Sequence, residues 1–267
     1  MNRACLHFIY SYTGKLKNTI LLFPLIIISL QAGKILLRKD ITDFIEILMP
    51  KGYFCQNTFL MLKVEDLQDS SRYRHMLTLP YTDIAPFVID YIRRRTAVTG
   101  FFWTLCLLAA LLAVKIRFNI SGYYEFLQII PHTLLGLIIF PVLIIPVHEF
   151  LHVLPFAFTG ARNIRTGMDL KQFIFYVTVH REVVTPGKFR IVAIVPFLAV
   201  TSALLFLIYF LPPLWKWSLS LFLFVHITMC AGDFAMLNFY YVNREKKILS
   251  WDDADLKEAY FYEEIRE

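Results

Sequence analysis

The sequence predicts a mainly α-helical protein that crosses a membrane several times. Of its 267 residues, 57% are hydrophobic and only 18% are charged, and the mean hydropathy is +0.56. Soluble domains are less apolar and carry more charge, whereas several bilayer crossings account for this balance. We therefore expect a polytopic membrane protein. It should have a four-helix transmembrane core, an N-terminal segment that could cross as a fifth span, and a small β-hairpin between core helices 2 and 3.

Charge and cysteine content narrow the class further. The net charge is +6, but the basic residues border apolar runs and form no single basic face. Orientation in a bilayer explains them better than nucleic-acid binding, and we expect no nucleic-acid partner. No Cys-x-x-Cys pair is present, so neither a disulfide framework nor a cysteine zinc site is predicted for the scattered cysteines Cys5, Cys55, Cys106 and Cys230.

The first segment, residues 1–38, has an ambiguous relation to the membrane. Its apolar part runs from Thr19 to Leu37, but Gln31 and Lys34 interrupt it. The uninterrupted stretch is shorter than the roughly 20 residues that one helical crossing needs. It could be a short span, an interfacial helix or a signal-like segment. Cleavage as an export signal is not expected, because it would place the arginines that precede the first clear span outside.

The polar region 39–96 comes next and is expected on the cytoplasmic side. Within it, "FLMLKV" and "HMLTLP" are typical of short strands. In "DIAPFVIDYIRRR", Asp83 is a candidate N-cap and the apolar residues recur at helical spacing on one face. We expect an amphipathic helix that lies along the membrane surface and leads into the first span.

Four apolar runs are long enough to cross a bilayer and define a core at 97–243. Basic residues lie before the first run, after the second and after the fourth, which predicts that both ends of the core and the tail 244–267 are cytoplasmic. The runs are 97–115, 131–158, 190–211 and 217–241.

The second run contains "PVHEFLHVLPF", in which polar groups interrupt an apolar helix. His148 and His152 lie one turn apart, so both rings project from one face and can hold a single Zn²⁺. Glu149 lies beside them and can act as general base on zinc-bound water, as peptide-bond hydrolysis requires. Pro146 and Pro155 are expected to break the helix on either side of the motif. The alternative is a set of helix-packing residues.

A third ligand must come from elsewhere, and Asp233 is the best candidate. It lies about as far from the end of the fourth run as His148 does from the end of the second, so antiparallel helices would bring both to one level. If all three residues share one zinc, the carboxylate should lie about 3 to 4 Å from the histidine nitrogens. Gly232 should let helices approach closely. A buried protonated carboxyl group is the alternative for Asp233. His226 ranks second because it should lie about 10 Å deeper, and it could instead be a packed core histidine.

The loop 160–188 contains "KQFIFYVTVHREVVTP", which predicts a strand, a turn at His180 to Glu182 and a second short strand. A free strand edge there could pair with an extended substrate, or the segment could be an ordinary surface hairpin. His180 could be a ligand, but an exposed histidine is the stronger expectation in so polar a loop.

Four stretches in order, "HEFLHVLPFAFTGAR", "GMDLKQFIFYVTV", "IVPFLAV" and "CAGDFAML", resemble a bacterial membrane family described as zincin peptidases of unknown function. That family is similar to the site-2 protease type of intramembrane metalloprotease, and the resemblance covers roughly residues 80–255. It implies an inner-membrane location, His148, His152 and Asp233 as zinc ligands, Glu149 as catalytic base, and a helix around Pro196 packed beside the site. The chain departs from the site-2 protease pattern, since Gly232 precedes Asp233 and Phe234 follows it.

Together these observations predict a zinc metallopeptidase that cuts a membrane-associated protein or peptide. Two other classes stay open. One is a membrane protein that binds zinc structurally or binds a partner through the 160–188 loop, and the other is a transporter that uses His148, Glu149 and Asp233 as a metal or proton relay.

Overall fold

Long apolar helices and two small sheets make up the part of the chain that the structure describes. The structure is a computed structural model, and it describes residues 62–169 and 174–265. All of these residues belong to Asp43–Glu267, one of the two units into which the chain divides. The segment 1–38, with its candidate fifth span, lies outside the described residues.

The polar region before the first span contains one strand, one α-helix and short 3₁₀ turns within its described residues. Strand β1 (Tyr73–Pro80) and helix α1 (Ile84–Arg93) form where they are predicted, and Asp83 occupies the N-cap position without a side-chain cap hydrogen bond. The strand predicted for "FLMLKV" is wrong over its described part, which leads into a 3₁₀ helix, Val64–Gln68. The apolar residues Val64 and Leu67 are both buried, and a repeat of three brings them to one side of a 3₁₀ helix.

All four predicted core runs form helices long and apolar enough to cross a membrane. Helix α2 (Ala97–Ile120) is the first span. The second is the continuous stretch Phe126–Phe158, in which a π-helical turn at Leu135–Ile139 joins α3 (Phe126–Leu134) to α4 (Phe140–Phe158). Helix α5 (Pro186–Phe210) is the third, and α6 (Pro213–Met229) with α7 (Ala231–Val242) makes the fourth. The predicted fold class is confirmed.

Helices α2, α5, α6 and α7 pack around one apolar core. Phe234 of α7 is fully buried there, and its ring centroid lies 5.2 Å from those of Phe102 in α2 and Phe197 in α5. Between membrane-spanning helices such a contact stabilises through close van der Waals packing and not through removal from water. This contact fixes the rotation of α7 and therefore the direction in which the preceding residue, Asp233, projects.

The second span has much less protein around it than the others. Only 17% of the most apolar 18-residue stretch of this span is buried by protein, whereas the buried share of the corresponding stretches in the other three spans is 33% to 56%. Its first half is held on α6 by close packing at Gly136, where an added Cβ atom would overlap the Ser218 carbonyl oxygen. His132 Nδ1 also lies 2.8 Å from the Ser218 hydroxyl oxygen, and the Trp217 indole donates to Thr133 at 2.9 Å.

A two-stranded antiparallel hairpin lies between α4 and α5, as predicted, but its strands differ from the predicted ones. It pairs β2 (Ile164–Asp169) with β3 (Ile174–Val179), so the turn predicted at His180 to Glu182 and the strand after it are wrong as hairpin elements. Val184 instead exchanges backbone hydrogen bonds of 2.7 and 3.1 Å with Ser250. Its side chain is buried against the end of α4 and the start of α5, which favours this position over a hairpin.

The residues after the fourth span form two strands that the sequence did not reveal. Strands β4 (Ile248–Asp253) and β5 (Glu258–Glu264) join β1 in an antiparallel sheet of order β1–β5–β4. Phe261 of β5 packs on Phe239 of α7, with ring centroids 5.0 Å apart. This sheet therefore connects the polar region before the first span to the residues that follow the last one.

Candidate metal centre

Helix α4 supplies two histidines one turn apart, and both are buried. His148 and His152 are 8% and 9% exposed, and their ring centroids lie 5.0 Å apart. The helix continues through both Pro146 and Pro155, so the predicted breaks on either side of the motif are wrong. Membrane helices tolerate proline because neighbouring groups can satisfy the freed carbonyls. The imidazoles are therefore presented from one uninterrupted helical face.

Asp233 comes from the start of a different helix. The fourth span is interrupted at Cys230, which ends α6 and caps α7, so Asp233 lies in the first turn of α7. The positive end of the α7 dipole favours a carboxylate at this place. The Asp233 side chain projects towards α4, while the next residue, Phe234, is buried in the apolar core.

The three predicted ligands converge. Asp233 Oδ2 lies 3.4 Å from His148 Nε2, and Asp233 Oδ1 lies 3.5 Å from His152 Nε2. Two donors that share a tetrahedral zinc at about 2.0 to 2.1 Å lie about 3.3 Å apart, so the observed distances fit one shared ion. They also fall within the interval expected from the sequence. Two imidazoles and one carboxylate form a donor set that zinc accepts, with a fourth position open.

A proline in α5 explains how the ring of His152 is oriented. In a helix the carbonyl of Val192 would accept the N–H four residues later, but that residue is Pro196, which has no N–H. His152 Nδ1 lies 3.0 Å from this freed carbonyl oxygen. A carbonyl can only accept, so Nδ1 carries the proton and Nε2 keeps its lone pair towards Asp233. Metal-binding histidines commonly make such a contact on the far side of the ring.

His148 makes its outer contact with His226 rather than with a carbonyl. The two nitrogens, His148 Nδ1 and His226 Nε2, lie 3.4 Å apart, and His226 is completely buried. The prediction that His226 lies too deep to approach the site is wrong. Both His226 and Asp233 lie against His148, although they are two helical turns apart in the fourth span.

Cys230 lies one helical turn after His226 and next to it, a pairing that was not predicted from the sequence. Its Sγ atom is 3.9 Å from His226 Nε2, and the thiol is buried. His148, His226 and Cys230 therefore form a second group of donors close enough to hold an ion, and it shares His148 with the predicted group. The second group differs in being wholly buried and in containing sulfur.

Glu149 and Gly232, the chain neighbours of His148 and Asp233, are less buried than the two histidines. The Glu149 carboxylate is partly exposed and within electrostatic range of His148, His152 and Asp233. Gly232 is exposed, and a Cβ atom added to it would meet nothing within 4 Å. The prediction that Gly232 allows a close helix approach is therefore wrong. The glycine leaves space beside Asp233, and the close approach occurs at Gly136.

His180 is buried, contrary to the exposed position expected for it. Its Nδ1 accepts the Ala254 N–H at 3.0 Å, and its Nε2 lies 3.5 Å from Asp255. Burial acts to raise the pKa of Asp253, but the Leu256 N–H and the Arg181 guanidinium hold that pKa below its usual range. Asp253 also receives the Asp255 N–H. These groups satisfy one another, so His180 stabilises the turn between β4 and β5 and is not a ligand of the centre.

Residues 141–247 match the model of a family described as "putative zincin peptidase". The matched stretch runs from the start of α4 past the end of α7. It therefore contains His148, Glu149, His152 and Asp233, as well as Pro196. No curated protein and no solved structure matches the chain. The similarity supports a zinc peptidase, and the likeness to site-2 proteases remains an expectation from the sequence.

Proposed function

We propose that this protein is a membrane-embedded zinc metallopeptidase that hydrolyses peptide bonds of a membrane-associated protein. The observation that carries the proposal is the convergence of two histidines from α4 and one carboxylate from α7, with oxygen-to-nitrogen distances of 3.4 and 3.5 Å. Ionisable groups in a membrane helix are costly, so three of them meeting at one point require a function. The family description supports the same conclusion.

Each residue has a distinct role in this proposal. His148, His152 and Asp233 would hold zinc, which when bound supplies a Lewis acid and lowers the pKa of water at its open position. Glu149 accepts a proton from the attacking water and passes it to the amine that leaves when the C–N bond breaks. The Val192 carbonyl holds His152 in the tautomer whose Nε2 is free for the metal.

The surroundings of the centre fit a protein substrate. Gly232, which precedes Asp233, is exposed and leaves open space at its position. Strand β2 forms one edge of the two-stranded hairpin, and an extended substrate segment could add to that edge through backbone hydrogen bonds. If the basic residues at the span ends face the cytoplasm, cleavage occurs near the cytoplasmic surface of the membrane. In a bacterium this would be the inner membrane.

Replacing Glu149 tests the catalytic role separately from metal binding. We expect Glu149→Gln to retain about one zinc per chain and to lower the cleavage rate by about 10² to 10⁴-fold, so that uncut substrate accumulates in cells. Glu245→Gln is the matched control, because Glu245 is exposed and lies after the fourth span. Full activity in the Glu149 variant would contradict the proposed mechanism.

A second candidate function is a closed, structural zinc centre in a protein that does not cut peptides. The observation that favours it is the buried group of His148, His226 and Cys230, which contains a thiol and has no exposed member. Structural zinc sites are closed and often contain cysteine, whereas a catalytic site keeps one position open. The two functions therefore differ in which donors surround the ion.

A further inference from the structure

A basic cleft lies at the start of α2, apart from the metal centre. Its volume is about 480 Å³, and it is lined by three consecutive arginines, two threonines, Gly100 and Trp103. None of these residues belongs to either donor group of the metal centre, and none is acidic. The cleft is therefore a separate feature with positive charge on one side and an aromatic ring on the other.

Two of the three arginines have no counter-charge within the described part of the chain. Arg94 is engaged, because its guanidinium lies 2.6 Å from the Asp90 carboxylate and stacks 4.0 Å above the Tyr91 ring. Arg93 and Arg95 are exposed and make no ion pair with another described residue. Two positive charges thus remain available at the mouth of the cleft.

The backbone that carries these arginines is held in place. Thr99 donates its hydroxyl to the Arg94 carbonyl at 2.5 Å, and Thr96 donates to Asn238 of α7 at 2.6 Å. The polar groups of both threonines are thereby used within the protein. Arg93 and Arg95 are the charged groups left to bind a ligand, and the backbone that carries them is held in place relative to α2.

Below the arginines the cleft opens onto an apolar helix face. Gly100 contributes no side chain, and Trp103 is 53% exposed while its indole N–H donates to the Ile92 carbonyl. Leu107 and Leu111 follow at intervals of four residues and are 59% and 54% exposed. In a membrane this face contacts acyl chains, and a tryptophan near the end of a span is typical of the interface.

We propose that this cleft binds an anionic phospholipid. Arg93 and Arg95 hold the phosphodiester, and the acyl chains lie along Trp103, Leu107 and Leu111. Trp103 is six residues into α2, about 9 Å from its start, which matches a headgroup at the arginines and acyl chains that begin beside the indole. A small soluble anion would use the charges but would leave the continuous apolar wall uncovered.

Tryptophan quenching by brominated lipid tests the proposal in the full-length protein. The protein is placed in nanodiscs of phosphatidylcholine that contain a minor fraction of acyl-brominated phosphatidylglycerol or acyl-brominated phosphatidylcholine. The Trp103 signal is the difference between wild type and Trp103→Phe. We expect stronger quenching by the anionic lipid, and we expect Arg93→Gln/Arg95→Gln to weaken its binding about fivefold for each charge removed.

Two further variants make the test selective for the cleft. Lys115→Gln/Arg117→Gln removes the same charge at the other end of α2 and should leave the lipid preference unchanged. Arg93→Lys/Arg95→Lys should keep most of the preference, which distinguishes loss of charge from misfolding. Equal quenching by both lipids would overturn the proposal. Loss of the preference in excess soluble glycerol phosphate would also overturn it, because the ligand would then be a free anion.

Discussion

His148 and His152 each make a further contact with a group outside the proposed zinc ligands. The sequence predicted His148, Glu149, His152 and Asp233 from residue type and spacing, and the structure brings the three proposed donors together. The role of Pro196 was also accessible from sequence, by counting back four residues to the carbonyl that proline leaves free. The contact between His148 and His226 was not accessible from sequence, because it depends on how α4 and α6 pack in the folded protein.

Pro196→Ala should weaken zinc binding although Pro196 is not itself a proposed ligand. The backbone N–H that alanine introduces at this position would compete with His152 for the Val192 carbonyl, and loss of such an outer contact commonly lowers metal affinity about 10 to 100-fold. Competition with a chromophoric chelator measures this affinity. Pro131→Ala is the control, since Pro131 lies inside α3 near the opposite end of the second span. An unchanged affinity, or an equal loss in the control, would show that the carbonyl does not position His152.

At the scale of elements, hydropathy was sufficient to predict the spans but not how they pack. The four runs form helices because each is long and apolar, which is a local property. The sheet was largely missed because β5 lies between β1 and β4, so its pairing joins residues that are distant in sequence. Gly136 was missed for the same reason, since its close contact with α6 exists only in the folded protein.

Gly136→Ala should destabilise the protein, whereas Gly232→Ala should not. A methyl group at Gly136 would overlap the Ser218 carbonyl oxygen and would lie 2.9 Å from Leu221 Cβ, so the second span must shift. Overpacking of this kind costs about 1 to 3 kcal/mol, while alanine in the open helical position of Gly232 is neutral or gains up to about 1 kcal/mol. Thermal unfolding in detergent compares the two variants. Equal midpoints would contradict the role given to Gly136.

Across the described residues as a whole, three polar segments assemble together at one end of the helices. They are the segments before the first span, after the second span and after the fourth span. The bridges from His180 and Val184 to β4 join the segment after the second span to the sheet. Asn238 donates to the Tyr91 carbonyl and so joins α7 to α1. The segments that contain the basic residues used to predict a cytoplasmic side are therefore linked through these contacts. The side of the membrane on which this end lies remains a prediction.

The donors around the bound metal test the central claim most directly. Zinc K-edge absorption of the purified full-length protein should show about one zinc per chain, with nitrogen and oxygen donors at about 2.0 to 2.2 Å and no sulfur. That result is expected for His148, His152 and Asp233 with one open position. A sulfur donor at about 2.3 Å would place the ion at Cys230 and His226 instead and would favour a structural centre. A protein that binds no zinc would contradict the account altogether.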